Sequence, residues 1–309
     1  MSMTPAQARV VDPVLTTHAQ GYRHPDYVGS LLFPAVDVGP RGGKVIEFGK
    51  ESFKLYNLRR APGADARRVT FGYQGKPFQL VQDSVDVPLP REVYDDAKMG
   101  PSVDLGMRAV GHAVRVMTLP LESEQATLAA DAANYDASHK DDLSGGDEWS
   151  VSTVDPIAAI DVAKEAIRAT TGMYPNVMVI GAVAWPALKN NPFVVDRVKC
   201  TSRDSVTAEI IANVLGLERL GIGKAVIADD AGTFSDVWGN VAVLAYAPQS
   251  GSAAEEPSFG YTYRLQGHPF VDQPWFEQQS RSWIYSANYE RLPVLTGITA
   301  GFLFQNVTA

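Results

Sequence analysis

Two strand-like segments of unusual length, KVIEFGKESFKLYN (44–57) and RRVTFGYQGKPFQLVQ (67–82), constrain this chain more than anything else in it. Phe53 and Leu55 in the first, and Val69, Phe71 and Tyr73 in the second, alternate with other residues in the way strands do. The connection LRRAPGADA (58–66) carries a Pro-Gly turn signal. At ~3.3 Å per residue the pair makes a hairpin roughly 45 Å long. An isolated two-stranded ribbon is marginal in water and needs a surface to lie on. A ribbon of that reach finds little such surface on its own chain.

Charge sharpens the point. Between Arg41 and Arg91 stand ten basic residues (Arg41, Lys44, Lys50, Lys54, Arg59, Arg60, Arg67, Arg68, Lys76, Arg91) and five acidic ones (Glu47, Glu51, Asp65, Asp83, Asp86). The segment is +5 in a chain of net charge −8, which leaves −13 for the rest. A basic projection on an acidic body predicts head-to-tail contact between copies; the alternative is a solvated basic loop. The overall negative charge argues against a protein whose main task is gripping nucleic acid, since phosphate binding needs a surplus of Lys and Arg.

The remainder reads as an ordinary globular chain of 309 residues, 45% hydrophobic and 20% charged. Pro13, Gly21, Pro25, Gly29, Pro34 and Pro40 punctuate the first forty residues, which predicts an extended arm. From Ser102 the pattern turns helical: Val103, Met107, Val110, Val114, Met117 and Leu121 form a narrow apolar seam. A helix from Ser102 to about Asn134 would extend ~50 Å, with Pro120 expected to kink it or break it in two. After the loop 136–154, an α/β block begins with Asp155 as N-cap, Pro156 at the first helical position and Gly172 as the stop. NVMVIG (176–181) is a buried strand, 183–191 a short helix stopped by Pro192, and 205–216 a further helix. KAVIAD (224–229) and NVAVLAYA (240–247) are two more strands of the block, and 281–292 and 294–307 return to strand. These final runs are expected to form an element that rejoins the spine helix.

A search for chemistry finds little. A dinucleotide fingerprint needs G-x-G-x-x-G between strand and helix, whereas Gly181 stands alone in IGAVAWP. GLERLGIGKA (216–225) fails as a P-loop, because Glu218 takes the first glycine position and Ala225 replaces the magnesium-binding hydroxyl. Those glycines are expected to cap a helix and allow a tight turn into a strand. The five histidines are scattered, and the single cysteine, Cys200, excludes a disulfide framework or a multi-cysteine metal site within the chain. No G-x-S-x-G elbow is present. The N-terminus lacks the apolar core of a secretory signal, and the longest apolar run, VMVIGAVAW (177–185), is about half of a membrane span. A soluble, non-enzymatic protein without cofactor or metal is expected.

The segments VDPVLTTHAQGYRHPDYVGSLLFPAVDV (11–38), GGKVIEFGKESFKLYNLRRAPGADARRVTFG (42–72), 143–199 and SDVWGNVAVLAYAP (235–248) together resemble the major capsid proteins of tailed double-stranded DNA bacteriophages. The resemblance implies an α+β, HK97-type capsid fold. Its parts would be an N-terminal arm (1–40), an extended loop (41–90), a peripheral domain with a long spine helix (91–154 and 265–309) and an axial domain (155–264). It implies self-assembly through pentamers and hexamers into an icosahedral shell around the phage genome, in the bacterial cytoplasm and then the virion. The extended loop, with Arg59, Arg60, Arg67, Arg68, Lys50 and Lys54, would lie on a neighbouring subunit. Asp95, Asp96, Glu122, Glu124, Asp141 and Asp142 are the candidate acidic partners. Some relatives cross-link a loop lysine to an asparagine, but no feature of this sequence singles out such a set. The expected partners are further copies of the chain, a separate scaffold protein, a portal and decoration proteins, with enclosed DNA bound without sequence specificity and no membrane. The alternatives are an encapsulin-like nanocompartment shell and a soluble α/β enzyme with an unrecognised site.

Overall fold

The computed structural model describes residues 11–22, 24–44, 59, 77–99, 104–199, 207–248 and 258–309. Most of the two long strand-like segments lies outside those residues. What is described of them is Lys44 and residues 77–82.

Helix α1 (Pro13–Gly21) begins at Asp12, whose carboxylate accepts the backbone N–H groups of Val14 and Leu15, with Pro13 at the first helical position. Helix α2 (Gly29–Leu32) and strands β1 (Ala35–Val38) and β2 (Gly42–Lys44) follow. The expected extended arm is thus corrected: its described part holds two short helices and a paired strand. Strands β3 (Pro77–Gln79) and β4 (Val81–Pro90) lead into helix α3 (Arg91–Met99).

The spine is helix α4 (Leu105–Ala130), 26 residues and roughly 39 Å long. It runs unbroken through Pro120. Pro120 and Val116, the residue whose carbonyl loses its donor, are both exposed, so water can satisfy that carbonyl. The first part of α4 packs Ala109, Val110, Ala113, Val114 and Met117 with Leu15 and Ala19 of α1 and with Tyr285, Ala287 and Tyr289. Its last turns put Ala126 and Ala129 into a separate core with Val28, Leu32, Val179 and Val243.

The rest of the chain supplies strand β5 (Lys140–Asp142), helix α5 (Pro156–Thr171), strand β6 (Val177–Gly181), and helices α6 (Trp185–Asn190), α7 (Pro192–Lys199) and α8 (Ala208–Val214). Strands β7 (Arg219–Gly223), β8 (Val226–Ala228), β9 (Phe234–Asp236), β10 (Val241–Ala245), β11 (Gly260–Leu265), β12 (Phe270–Val271), β13 (Trp275–Glu277), β14 (Ser282–Leu295) and β15 (Gly301–Gln305) complete it. Asp155 caps α5 as the sequence suggests, and Gly172 ends it at φ 74°. Pro192, expected only as a stop, also opens α7.

Two large sheets result. A six-stranded one is organised on β14, which pairs with β4 over ten residues and also with β11, β12 and β13, while β1 joins outside β11. The other runs β5-β15-β10-β6-β7, with β6 parallel to β7 and β15 parallel to β5. One face of this sheet carries Met178, Ile180, Ala242, Leu244, Phe302 and Phe304 against Ile157, Ile160 and Ile167 of α5 and Ile211 of α8. The alternate residues Val177, Val179, Val243, Ala245 and Leu303 face α2 and the end of α4. That alternation accounts for the continuous apolar runs: the strands are covered on both sides.

Sheet membership cuts across the expected parts of the chain. Residues 301–305, which pack against the end of α4, join the five-stranded sheet, as do 140–142. Residues 35–38 and 260–265 join the six-stranded sheet. After α8 the strand that joins the five-stranded sheet is β7, at its edge beside β6, whereas KAVIAD contributes β8, which pairs with β9 outside both large sheets. Gly181 and Gly223, the glycines that mimic nucleotide loops, are packing residues. A Cβ on Gly181 would sit 1.9 Å from the Gly239 carbonyl oxygen, and one on Gly223 2.3 Å from the Trp238 ring.

Candidate functional site

The extended loop is the expected working part, so its root is the place to begin. Strands β2 and β3 pair antiparallel, Gly42 opposite Gln79 and Lys44 opposite Pro77, and residues 45–76 connect them. Two contacts fix this root to the six-stranded sheet and a third ties its two sides together. Arg41 makes a two-pronged ion pair with Glu290 of β14, Nε to Oε2 at 2.8 Å and an Nη to Oε1 at 2.9 Å. Leu80 donates its N–H to the Arg41 carbonyl at 2.9 Å. Phe78 stacks on Tyr263 with ring centroids 4.9 Å apart, over a small core of Leu80, Tyr261 and Tyr263.

The Glu290 side chain is 4% exposed while that of Arg41 is 73% exposed. The guanidinium therefore caps a carboxylate set into the sheet. Its hydrogen bond outweighs burial and holds the Glu290 carboxyl below its ordinary value. The Glu290 N–H in turn donates to His268 Nδ1 at 3.0 Å, and burial lowers the pKa of that imidazole.

Next to Glu290 on the strand, and pointing to the other face, is Arg291. Its side chain is 1% exposed and pairs with Asp83 of β4 and Glu124 of α4, both at 2.8 Å. A second buried charge lies two residues from Glu124. Glu122 Oε1 accepts the N–H groups of Val28 at 2.9 Å and Gly29 at 3.1 Å and the Trp238 indole N–H at 2.7 Å. Burial pushes its carboxyl above the ordinary value, and those donors offset only part of the rise. The start of α2, the spine helix and the connection before β10 meet at this one side chain.

A sequence model described as phage major capsid protein E matches residues 125–279, half of the chain. The major capsid protein of Burkholderia phage BcepMu is 36% identical over 306 residues, 98% of each chain. The chain belongs to the phage major capsid protein family. Among solved structures, a phage-related protein from Bordetella bronchiseptica RB50 is 39% identical, with a TM-score of 0.83 over 97% of this chain and 99% of that one. The capsid structure of Cyanophage P-SCSP1u shares only the fold, at 10% identity and a TM-score of 0.57 over 99% and 92% of the two chains. The α+β architecture is that of HK97-type capsid proteins.

In this capsid protein the expected loop cations Lys50, Lys54, Arg60, Arg67 and Arg68 lie outside the described residues; Arg59 is described and exposed. The acidic candidates do not form one surface. Asp95 and Asp96 are exposed on α3, where Asp95 faces Arg91 one turn back at 3.4 Å. Asp141 and Asp142 lie exposed on β5 at the edge of the axial sheet. Asp142 accepts from the side chain of Asn306 and the N–H of Ser144, which hold its carboxyl below the ordinary range. Glu124 is half-exposed and already answers Arg291. Glu122 is corrected: at 2% exposure, with its carboxylate enclosed by donors of its own chain, it is not a surface acid.

Arg41 and Glu290 at the loop root, and Arg291 and Trp238 at the spine, were not singled out from the sequence. Arg41 figured only in a charge count, and a lone Glu-Arg pair inside ANYERLP gives no signal until β14 is paired. Among the described residues, no group of three or more His, Cys, Asp or Glu side chains could hold a metal ion. No helix among them is long and apolar enough to cross a membrane.

Proposed function

We propose that this capsid protein builds the closed icosahedral shell of a phage head through pentamers and hexamers of identical chains, and that the shell encloses double-stranded DNA. The observation that carries the reading is the loop root. A bidentate ion pair, a backbone hydrogen bond and a ring stack anchor the root, from which 32 residues continue, 45–76, rich in cations. Anchoring so strong at the base suits a loop that works on another molecule. In this reading the arm, loop, peripheral and axial parts follow the expected order, with β15 and β5 completing the axial sheet. Arg59, Arg60, Arg67, Arg68, Lys50 and Lys54 meet acidic surface on the next copy, for which Asp95, Asp96, Asp141 and Asp142 are the exposed candidates. Each exposed pair contributes only ~0.2–1 kcal/mol, and many repeats make the shell stable. The role is structural rather than catalytic. A scaffold protein, a portal and decoration proteins complete the assembly in the host cytoplasm, and the mature protein resides in the virion.

Light scattering with negative-stain microscopy on the chain co-expressed with its scaffold tests this. Closed shells, or rings of five and six, are the expected result. A monomer that persists with scaffold present would overturn it. Replacing Arg59, Arg60, Arg67 and Arg68 together by Glu should abolish shells and leave the subunit folded.

A further inference from the structure

Strands β8 and β9 pair only with each other. Val226 lies opposite Asp236, Ile227 opposite Ser235 and Ala228 opposite Phe234. Residues directly opposite share a face and neighbours alternate. Val226, Ala228, Phe234 and Asp236 therefore occupy one face, and Ile227 and Ser235 the other. Ile227 is partly covered, whereas Phe234 is 72% exposed and Val226 45%. Phe234 is the most exposed large hydrophobic side chain among the described residues.

The tip is held in shape. Asp229 N–H donates to the Thr233 carbonyl, Thr233 N–H to the Asp229 carboxylate, and Gly232 turns at φ 81°. A two-stranded ribbon is marginal alone, and this one presents an aromatic ring to water on a tied frame.

The charge is one-sided as well. Residues 226–236 contain Asp229, Asp230 and Asp236 and no cation. A face of opposite sign exists on α7, whose exposed positions carry Phe193, 40% exposed, Arg197 one turn on, and Lys199, which pairs with the exposed Asp196 at 3.0 Å, so that the helix is net positive by one charge. Within one chain Phe234 and Phe193 are both left uncovered.

We infer that the β8–β9 hairpin of one copy docks through Val226, Ala228 and Phe234 onto the outward face of α7 in a second copy, its carboxylates facing Arg197 and Lys199. Two different patches then meet, a heterologous contact that closes into a ring when the rotation allows. The inference rests on the shell reading and names one of its contacts.

The test uses the full chain with its scaffold. In a Cys200→Ser background, Ala228→Cys and Phe193→Cys are introduced together and the assembled material is treated with a short bis-maleimide. A ladder of linked chains is expected on a denaturing gel, absent from either single variant. Phe234→Asp should lower the yield of assembled particles about tenfold or more, as removal of a central aromatic anchor does, with the subunit's thermal unfolding unchanged. Asp230→Lys with Asp236→Lys, which spares the Asp229 tie, should also block assembly, and adding Arg197→Glu with Lys199→Glu should restore it in part. No ladder, together with full assembly of Phe234→Asp, would overturn the contact even if shells form. Failure of the unaltered chain to assemble would instead remove the shell reading, and the ladder in whatever oligomer exists still decides the contact.

Discussion

Two residues apart on α4, Glu122 and Glu124 face opposite sides of the helix and meet opposite solutions to the same difficulty. Glu124 helps Asp83 neutralise Arg291, and the charge buried deepest is the cation, at 1% side-chain exposure against 51% and 36% for its partners. Glu122 is itself the buried charge and is met by N–H dipoles alone. The first joint fastens the spine to the peripheral sheet, the second to the arm and to Trp238. An ion pair with half-exposed partners tolerates loss of its centre, because the carboxylates can hydrate. A carboxylate enclosed by donors does not, because the donors stay dry.

The largest effect that would break this comparison is expected at the first joint when its partners go. Asp83→Ala with Glu124→Ala leaves the Arg291 charge buried and unanswered and should cost roughly 3–5 kcal/mol in denaturant unfolding of the subunit. Glu122→Ala orphans three buried donors and should cost about 3 kcal/mol. Arg291→Met should cost only about 1–2 kcal/mol, since Asp83 and Glu124 can turn to water. If it costs as much as the partner deletion, the contrast between the joints fails. Asp12→Ala and Asp155→Ala should each cost about 1 kcal/mol through loss of a helix cap, and serve as the scale for the others.

Acid sharpens the comparison further. The folded Glu122 carboxyl binds its proton more tightly than the ordinary value of 4.5. Its contribution is therefore fully present below 4.5 and is lost as pH rises through the raised folded pKa. Wild type should gain on Glu122→Gln as pH falls across that window. Glu290, held low by Arg41, runs the other way: its contribution is present above 4.5 and is lost as pH falls through its folded pKa. Relative to wild type, Glu290→Gln should lose least at the acid end. Unfolding midpoints of both variants from neutral to acid pH would show the opposite slopes, and parallel curves would contradict them.

How much of this was legible beforehand depended on neighbours rather than on signal strength. Asp155-Pro156 was readable as a helix start because a long apolar period follows it. Asp12-Pro13 is the same signal and builds the same cap, but α1 is nine residues long and the surrounding prolines suggested an extended arm. The spine was visible from its seam, yet beyond Pro120 its buried positions become Glu122, Gln125, Ala126 and Ala129. They keep helical spacing while changing from apolar to polar and small, so Glu122 read as surface. Continuing the period through the alanines would have placed it inside. KAVIAD reads as a strand and forms one, β8, and only its pairing with β9 shows that it stands apart from the five-stranded sheet. The loop root escaped for a different reason: Arg41 and Glu290 are 249 residues apart, and nothing local announces such a pair.

Strand β14 gives the subunit a mechanical character. Its neighbours Glu290 and Arg291 hold the loop root on one face and the spine on the other, so tension on residues 45–76 enters and leaves the strand within a single peptide unit. The ten-residue ladder with β4 has hydrogen bonds perpendicular to the strands, so a pull along β14 loads them side by side rather than one after another. A load applied at the loop root is thereby shared along the β4–β14 ladder before any one bond has to yield.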